Sequence, residues 1–293
     1  VTVAIFFGMR LIPGDPAILL VGNMASDEAI AAMRSKMGLD QPLLSQYMRF
    51  LKQCLTFDFG NSLSLKTSVT GLFAQKAQVT VSLTLMTIFF AALISIPLGC
   101  YAGMHRKKAA ARLIDSLSLF FVSIPEFLIG LVLLLVFALK LRILPAGGWG
   151  STVPEHISSL ILPSFTGALM TASLVIRNIS ENIGKILKMD YVDFARSKGL
   201  SEGKIKRSYI LHNVLIPAVT LLAMRMTAML AGSIVIESVF ALPGLGQMML
   251  NAILSRDYPL VQATVYLFAI IVLVMNLLTD ISYSLLDPRV RLE

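Results

Sequence analysis

The sequence predicts an all-α membrane protein with six transmembrane helices, and three observations carry that prediction. Hydrophobic residues make up 56% of the 293-residue chain and charged residues only 14%, where an ordinary soluble domain carries roughly 25% charged residues. Three stretches, 77 to 104, 157 to 176 and 258 to 279, contain no Asp, Glu, Lys or Arg, and each can cross the ~30 Å apolar layer of a bilayer as a helix. The Lys and Arg residues collect in alternate connecting segments, as expected when basic loops are retained on the cytoplasmic side.

The spans are placed at 1 to 12, 78 to 104, 114 to 140, 157 to 184, 214 to 240 and 259 to 284. The first is partial: Val1 to Met9 supplies nine residues before Arg10, and a crossing needs about 20. Because the chain does not open on Met, the rest of that helix and the true N-terminus are expected upstream. Segment 13 to 77 is the extracytoplasmic segment, far longer than a connection in a helix bundle and so expected to fold on its own. It opens on the turn sequence Pro13-Gly14-Asp15-Pro16. Ser26, Asp27 and Glu28 then start a capped helix that Gly38 can stop, and Leu43 to Leu55 is a second amphipathic stretch.

Residues 78 to 293 form a five-helix core with a polar inner segment at 185 to 213. Span 114 to 140 admits Asp115, Glu126 and Lys140, and span 214 to 240 admits Arg225 and Glu237. After the fifth span, Pro243, Gly244 and Gly246 break the helix. The apolar stretch from there to Leu254 is too short to cross and is read as a short helix at the outer mouth, between spans five and six. Small residues, among them Ala91, Ala92, Gly99, Gly103, Ala228, Ala231 and Gly232, allow close helix packing.

With six alternating spans, segments 105 to 112, 185 to 207 and 288 to 293 share one side and hold four, seven and two Lys or Arg against four acids. The other side is nearly neutral, so the basic side and both termini are cytoplasmic. This placement, together with anionic lipid at the inner surface, accounts for the net charge of +8 without nucleic acid as a partner. Cys54 and Cys100 have no metal-ligand spacing. The 15 methionines are scattered, and His105, His156 and His212 lie outside the spans or at their edges, so no metal site is read. Residues His105 to Lys108 are read as a charge anchor at the membrane surface.

The inner segment contains Asp190-Tyr191-Val192-Asp193-Phe194-Ala195-Arg196-Ser197-Lys198-Gly199-Leu200. On a helix Tyr191, Phe194, Ala195 and Lys198 share a face, and Gly199 can adopt positive φ and end it. Ser201 and Glu202 start a second short helix through Ile205 and Ile210. Two short helices at an angle, held by two spans, make a rigid projection suited to a partner's groove.

These residues carry a resemblance. Asp193, Phe194, Ala195 and Gly199 stand where permeases of ABC importers have Glu-Ala-Ala, three residues and Gly. The departures from that pattern, with the greater distance to Pro217, resemble the oligopeptide, dipeptide and nickel permeases. So do Pro13-Gly14-Asp15-Pro16, Gly38-Leu39-Asp40-Gln41-Pro42, Phe57-Asp58-Phe59-Gly60, Ser123-Ile124-Pro125, Glu237 with Phe240, Pro243, Gly244 and Gly246, and Leu286-Asp287-Pro288-Arg289. The long segment after the first span is similar to the first, B-type, permease of such systems.

The resemblance implies the type I ABC importer permease fold in a bacterial inner membrane. It further implies a second homologous permease, two cytoplasmic ATPase subunits and an extracytoplasmic substrate-binding protein as partners. ATP and Mg belong to the ATPases, and this chain has no cofactor and no Gly-x4-Gly-Lys-Ser/Thr phosphate loop. Short peptides are the implied cargo, with nickel or a metal complex as the alternative. Tyr191, Asp193, Phe194, Ala195, Lys198, Gly199 and Leu200 are then the residues that couple to an ATPase.

Glu126, Arg225 and Glu237 are candidates for the translocation path or gate, because charges within spans face a cavity or one another. Their bland alternatives are a helix-end role for Glu237 and a structural role for Arg225. Arg177 and Glu181, four residues apart, are expected to pair along one helix face. A stand-alone secondary transporter would call for inverted repeats, and none is visible. An intramembrane enzyme would need a paired nucleophile and base inside the spans, and none is present.

Overall fold

The computed structural model describes residues 1–11, 15–21 and 25–286. Among them every element is helical, apart from one isolated bridge between Asn61 and Ser68. The helices are α1 (Thr2–Arg10), α2 (Pro16–Val21), α3 (Asp27–Met37), α4 (Leu43–Thr56), α5 (Val69–Met104), α6 (Ala109–Ser123), α7 (Glu126–Leu133), α8 (Val153–Ile186), α9 (Asp190–Ser197), α10 (Glu202–Lys204), α11 (His212–Val239), α12 (Leu245–Leu254) and α13 (Tyr258–Leu286). The Pro13-Gly14 turn and the closing Asp287-Pro288-Arg289 lie outside the described residues.

Four helical segments are long and apolar enough to cross a membrane: Val69–Met104, Val153–Ile186, Glu202–Leu230 and Tyr258–Leu277. The expected third span is broken. Ala109–Ser123 and Glu126–Lys140 meet at 104°, so they make a fifth crossing only if the bent pair is one span. The cause is local. Pro125 cannot donate to a helix ladder, and the preceding Ile124 is pushed to extended backbone at φ −92° and ψ 134°. With α1 only nine residues long, six complete spans do not appear among the described residues.

The fifth span also differs from expectation. No separate helix runs from Ser201 to Ile210: α10 passes through a π-helical stretch, Ile205–Leu211, straight into α11. Pro217 sits inside α11.

The chain forms two compact units. One comprises Val1–Thr80 and Pro243–Leu273. Its α3 starts where Ser26 Oγ accepts from Ala29 N at 3.3 Å and stops at Gly38, with φ +69°, as the capping residues predict. An aromatic run fills the core: Phe6 lies 5.2 Å from Tyr47 and 6.1 Å from Phe50, and Tyr266 is 6.4 Å from Phe50 and 5.7 Å from Phe59. Leu245, Met248 and Leu260 complete it. The long segment after α1 shares this unit with α1, α12 and the first turns of α13, and its buried apolar side chains belong to one core with theirs.

The second unit comprises Val81–Leu242 and the described residues from Val274 onward, with α8 at its centre. Glycines let backbones approach. A Cβ built on Gly99 would lie 2.8 Å from Ile179 Cβ, and one on Gly103 would lie 2.7 Å from Ile183 Cβ. Both are inside van der Waals contact, so the Gly99-x3-Gly103 step is what seats α5 on α8. Gly167 meets Thr87, Met229 and Ile236 in the same manner. Ala91 is fully buried, whereas Ala228 faces outward. Several hydroxyls inside the spans return to their own helices, as in Thr87 Oγ1 to Leu83 O at 2.7 Å and Thr166 Oγ1 to Leu162 O at 2.8 Å, whereas the buried Ser95 and Ser164 hydroxyls find no partner among the described residues. Such return bonds satisfy polar groups where no water is available.

Candidate functional site

The short helix α9 and the turn after it have a defined local cause. Lys198 is the last residue before Gly199, which sits at φ +74°. Leu200 N donates to Ala195 O at 3.3 Å and Gly199 N to Arg196 O at 2.9 Å, the double closure that ends helices on a left-handed glycine. Nothing lies within 4 Å of a Cβ at Gly199, so it is the backbone angle and not crowding that demands glycine. The chain then re-enters a helix with Ser201 Oγ accepting from Lys204 N at 3.4 Å.

The faces of α9 divide differently from the sequence pattern. Val192 and Ala195 point inward, at 0% and 2% exposure, and join Ile183, Ile186, Ile205 and Ile210 in the core. Phe194 points outward at 60% exposure, with Lys198 Nζ 4.6 Å from its ring centroid. Tyr191 is partly exposed and stacks on Tyr209 at 6.4 Å. Ala195 is therefore a packing residue and shares no outward face with Phe194 and Lys198. Val192, the other anchor, was missed because the i, i+3, i+4 pattern has two equally good registers in so short a helix.

Arg196 fastens the turn from outside. It reaches Asp193 Oδ1 and Glu202 Oε1, each at 3.1 Å, and these carboxylates hold its guanidinium above its ordinary pKa, Glu202 contributing most. Both pairs are exposed and add little to stability. Their effect is to give Asp193 a partner within the projection. Beneath it, Arg106 donates to Ser180 O at 2.7 Å and lies in the slot over Gly184. This member of the basic cluster at 105 to 108 is thus packed against α8, and the cluster is more than a surface charge anchor.

The charged candidates for the path lie on two helices, α7 and α11. Glu126 is the first residue of α7, directly after the break at Pro125, and its Oε2 would lie 3.9 Å from a Cβ on Gly232 of α11. Glu237 is wholly buried, two residues before the end of α11. Arg225 is half-buried on α11. Arg177 and Glu181 pair at 3.9 Å on the exposed side of α8, as their spacing predicts. Among the described residues no three His, Cys, Asp or Glu side chains come together to hold a metal.

Two family profiles cover the chain: residues 95–292 match "Binding-protein-dependent transport system inner membrane component" and residues 1–84 match its N-terminal domain. The glutathione transport system permease protein GsiC of Salmonella paratyphi A is 35% identical over 291 residues, covering 99% of this chain and 94% of that protein. GsiC of Salmonella typhimurium shows the same identity and coverage. In fold, the chain is similar to a chain of the MetNI methionine ABC transporter in an inward facing conformation, with a TM-score of 0.61, 16% identity, and coverage of 74% of this chain and 96% of that one. The all-helical architecture is that of type I ABC importer permeases, and the chain belongs to the family of binding-protein-dependent transport system inner membrane components, the permease subunits of ABC importers.

Proposed function

We propose that this chain is the B-type permease of an ATP-driven importer of short peptides, coupled to a cytoplasmic ATPase through α9 and the turn at Gly199. The observation that carries the coupling role is the exposed pair Phe194 and Lys198, presented by a helix whose other face, Val192 and Ala195, is locked into the core. A projection anchored in this way transmits force, because packed helices move as bodies and not by bending. Asp193, Tyr191 and Leu200 frame the contact, and Gly199 sets its angle. Closure of two ATPases on ATP then rocks this permease against a second, homologous one, and an extracytoplasmic binding protein delivers the cargo.

The peptide assignment draws on the GsiC relatives, named for the transport of glutathione, a tripeptide. Both termini and the segment 185 to 213 lie on the cytoplasmic side in this reading, by the placement of basic residues. Glu126 and Arg225 border the path, with Glu126 at the hinge of the broken helix pair.

The test is co-purification of the tagged chain, identification of its companions by mass, and ATPase assay with the binding protein and labelled di- and tripeptides. A second permease, ATPase subunits and peptide-stimulated hydrolysis are the expected result. A chain that purifies alone and moves solute without ATP would falsify the reading.

A further inference from the structure

We infer that a cavity of about 760 Å³ at the ends of α1 and α13 seats the phosphate headgroup of an anionic phospholipid. Four cations line it, Arg10, Lys36, Arg49 and Lys66, and no Asp or Glu stands among the described lining residues. The contacts of two of these cations are with neutral acceptors: Arg10 donates to Phe6 O at 3.0 Å and to Gln46 Oε1, and Arg49 to Gln41 Oε1 at 3.4 Å. The ion pairs among the described residues use Arg34, Arg177 and Arg196 instead.

Asp257, next to the lining residue Tyr258, is already engaged by Ser62, Ser64 and Leu260. The Tyr258 hydroxyl is buried with no partner among the described residues. Four uncompensated cations at one cavity create a potential that an anion relieves, and the volume is that of a ligand site.

Position and lining select the ligand. Phe6 and Met9 belong to the last turns of α1, and Tyr258, Pro259 and Gln262 to the first of α13, a segment that passes as a span. The cavity therefore opens at headgroup depth. Phe6, Phe50 and Phe59 supply an apolar wall beside the charges, which suits the junction between a phosphodiester and its acyl chains. On the topology proposed above this is the extracytoplasmic leaflet. The charge argument holds on either side.

The experiment is native mass spectrometry of the purified permease complex after exchange into mixed phosphatidylglycerol and phosphatidylcholine, with thermal unfolding measured on every variant. Wild type is expected to retain phosphatidylglycerol selectively. The double variant Lys36→Gln with Arg49→Gln loses retention on the order of thirtyfold, whereas Lys36→Arg with Arg49→Lys, and Lys52→Gln on the exposed side of α4, keep it. Equal retention of both lipids, or unchanged selectivity in the neutralised variant at wild-type unfolding temperature, overturns the site. Displacement of the lipid by glutathione or inorganic phosphate overturns the lipid in favour of a soluble anion. Retention is read without transport, so its failure is separate from failure of the importer assignment.

Discussion

Ser62 and Asp257 stand 195 positions apart in sequence, and the serine hydroxyl donates to the carboxylate at 2.6 Å. Ser64 adds its hydroxyl at 2.8 Å and its backbone N–H at 3.0 Å, while the other carboxylate oxygen accepts from Leu260 N at 3.2 Å. One buried side chain thus caps α13 and fastens the loop that leads into α5. Burial pushes the Asp257 carboxyl up, but the donors from Ser62, Ser64 and Leu260 outweigh it and hold the group below its ordinary value. The folded value being depressed, the stabilisation is fully present above the unfolded value of about 3.9 and is lost as pH falls through the folded one. Asp257→Ala is expected to cost about 3 kcal/mol and Asp257→Asn less. Hydrogen exchange at 60–69 and 257–264 should rise in both, and in wild type only on acidification.

Phe194 and Ala195 are adjacent but face opposite ways, so their variants separate docking from folding. Phe194→Ala removes an exposed ring and should leave thermal unfolding within about 0.5 kcal/mol of wild type while lowering peptide-stimulated ATP hydrolysis. Ala195→Glu drives a carboxylate into the core of Val192, Ile205 and Ile210 and should lower stability by about 3 kcal/mol or more. Equal stability losses in the two variants would contradict the burial pattern.

At Gly199 the backbone angle decides. Gly199→Ala keeps the N–H to Arg196 O and costs about 1 to 2 kcal/mol for left-handed backbone. Gly199→Pro removes that donor and forbids φ +74°. The expected order of transport is wild type, then alanine, then proline, with the spans still inserted, as measured by peptide uptake beside membrane yield. Normal uptake by Gly199→Pro would remove the turn from the coupling mechanism.

Gly99 and Gly103 set the distance between α5 and α8. Gly103→Val places a Cβ 2.7 Å from that of Ile183 and should cost about 1 to 3 kcal/mol through overpacking, read as a lower unfolding temperature in detergent. Gly203→Ala, with nothing within 4 Å, is the matched control and should be silent.

Cys54 is fully buried, and burial pushes its thiol up to about 11. Since the thiolate is the reactive form, maleimide should leave Cys54 unlabelled at neutral pH until the fold is opened by denaturant. Rapid labelling of the native protein would mean that the unit containing α4 opens readily.

Much of this was legible in one dimension. Ser26 and Gly38 delimit α3, Leu43 opens α4, and Leu245 to Leu254 forms the short helix that its flanking prolines and glycines imply, because capping and turn chemistry act over four or five residues. The break at Pro125 was legible too, in the restriction a proline imposes on the residue before it. Hydropathy reads straight through it, since it records composition and not direction.

The sequence by itself determined that this is a helical membrane protein, where its short capped helices begin and end, and which family it belongs to, since apolar run length, caps and motif order are written along the chain. Only the tertiary structure decided which side of α9 is core and which is free. It also decided that Asp257 holds a loop 195 positions away, and that Arg10, Lys36, Arg49 and Lys66 line one cavity. The physical reason is that burial and charge compensation depend on which elements pack together, and residues scattered over α1, α3, α4 and the loop before α5 meet only once the chain has closed on itself.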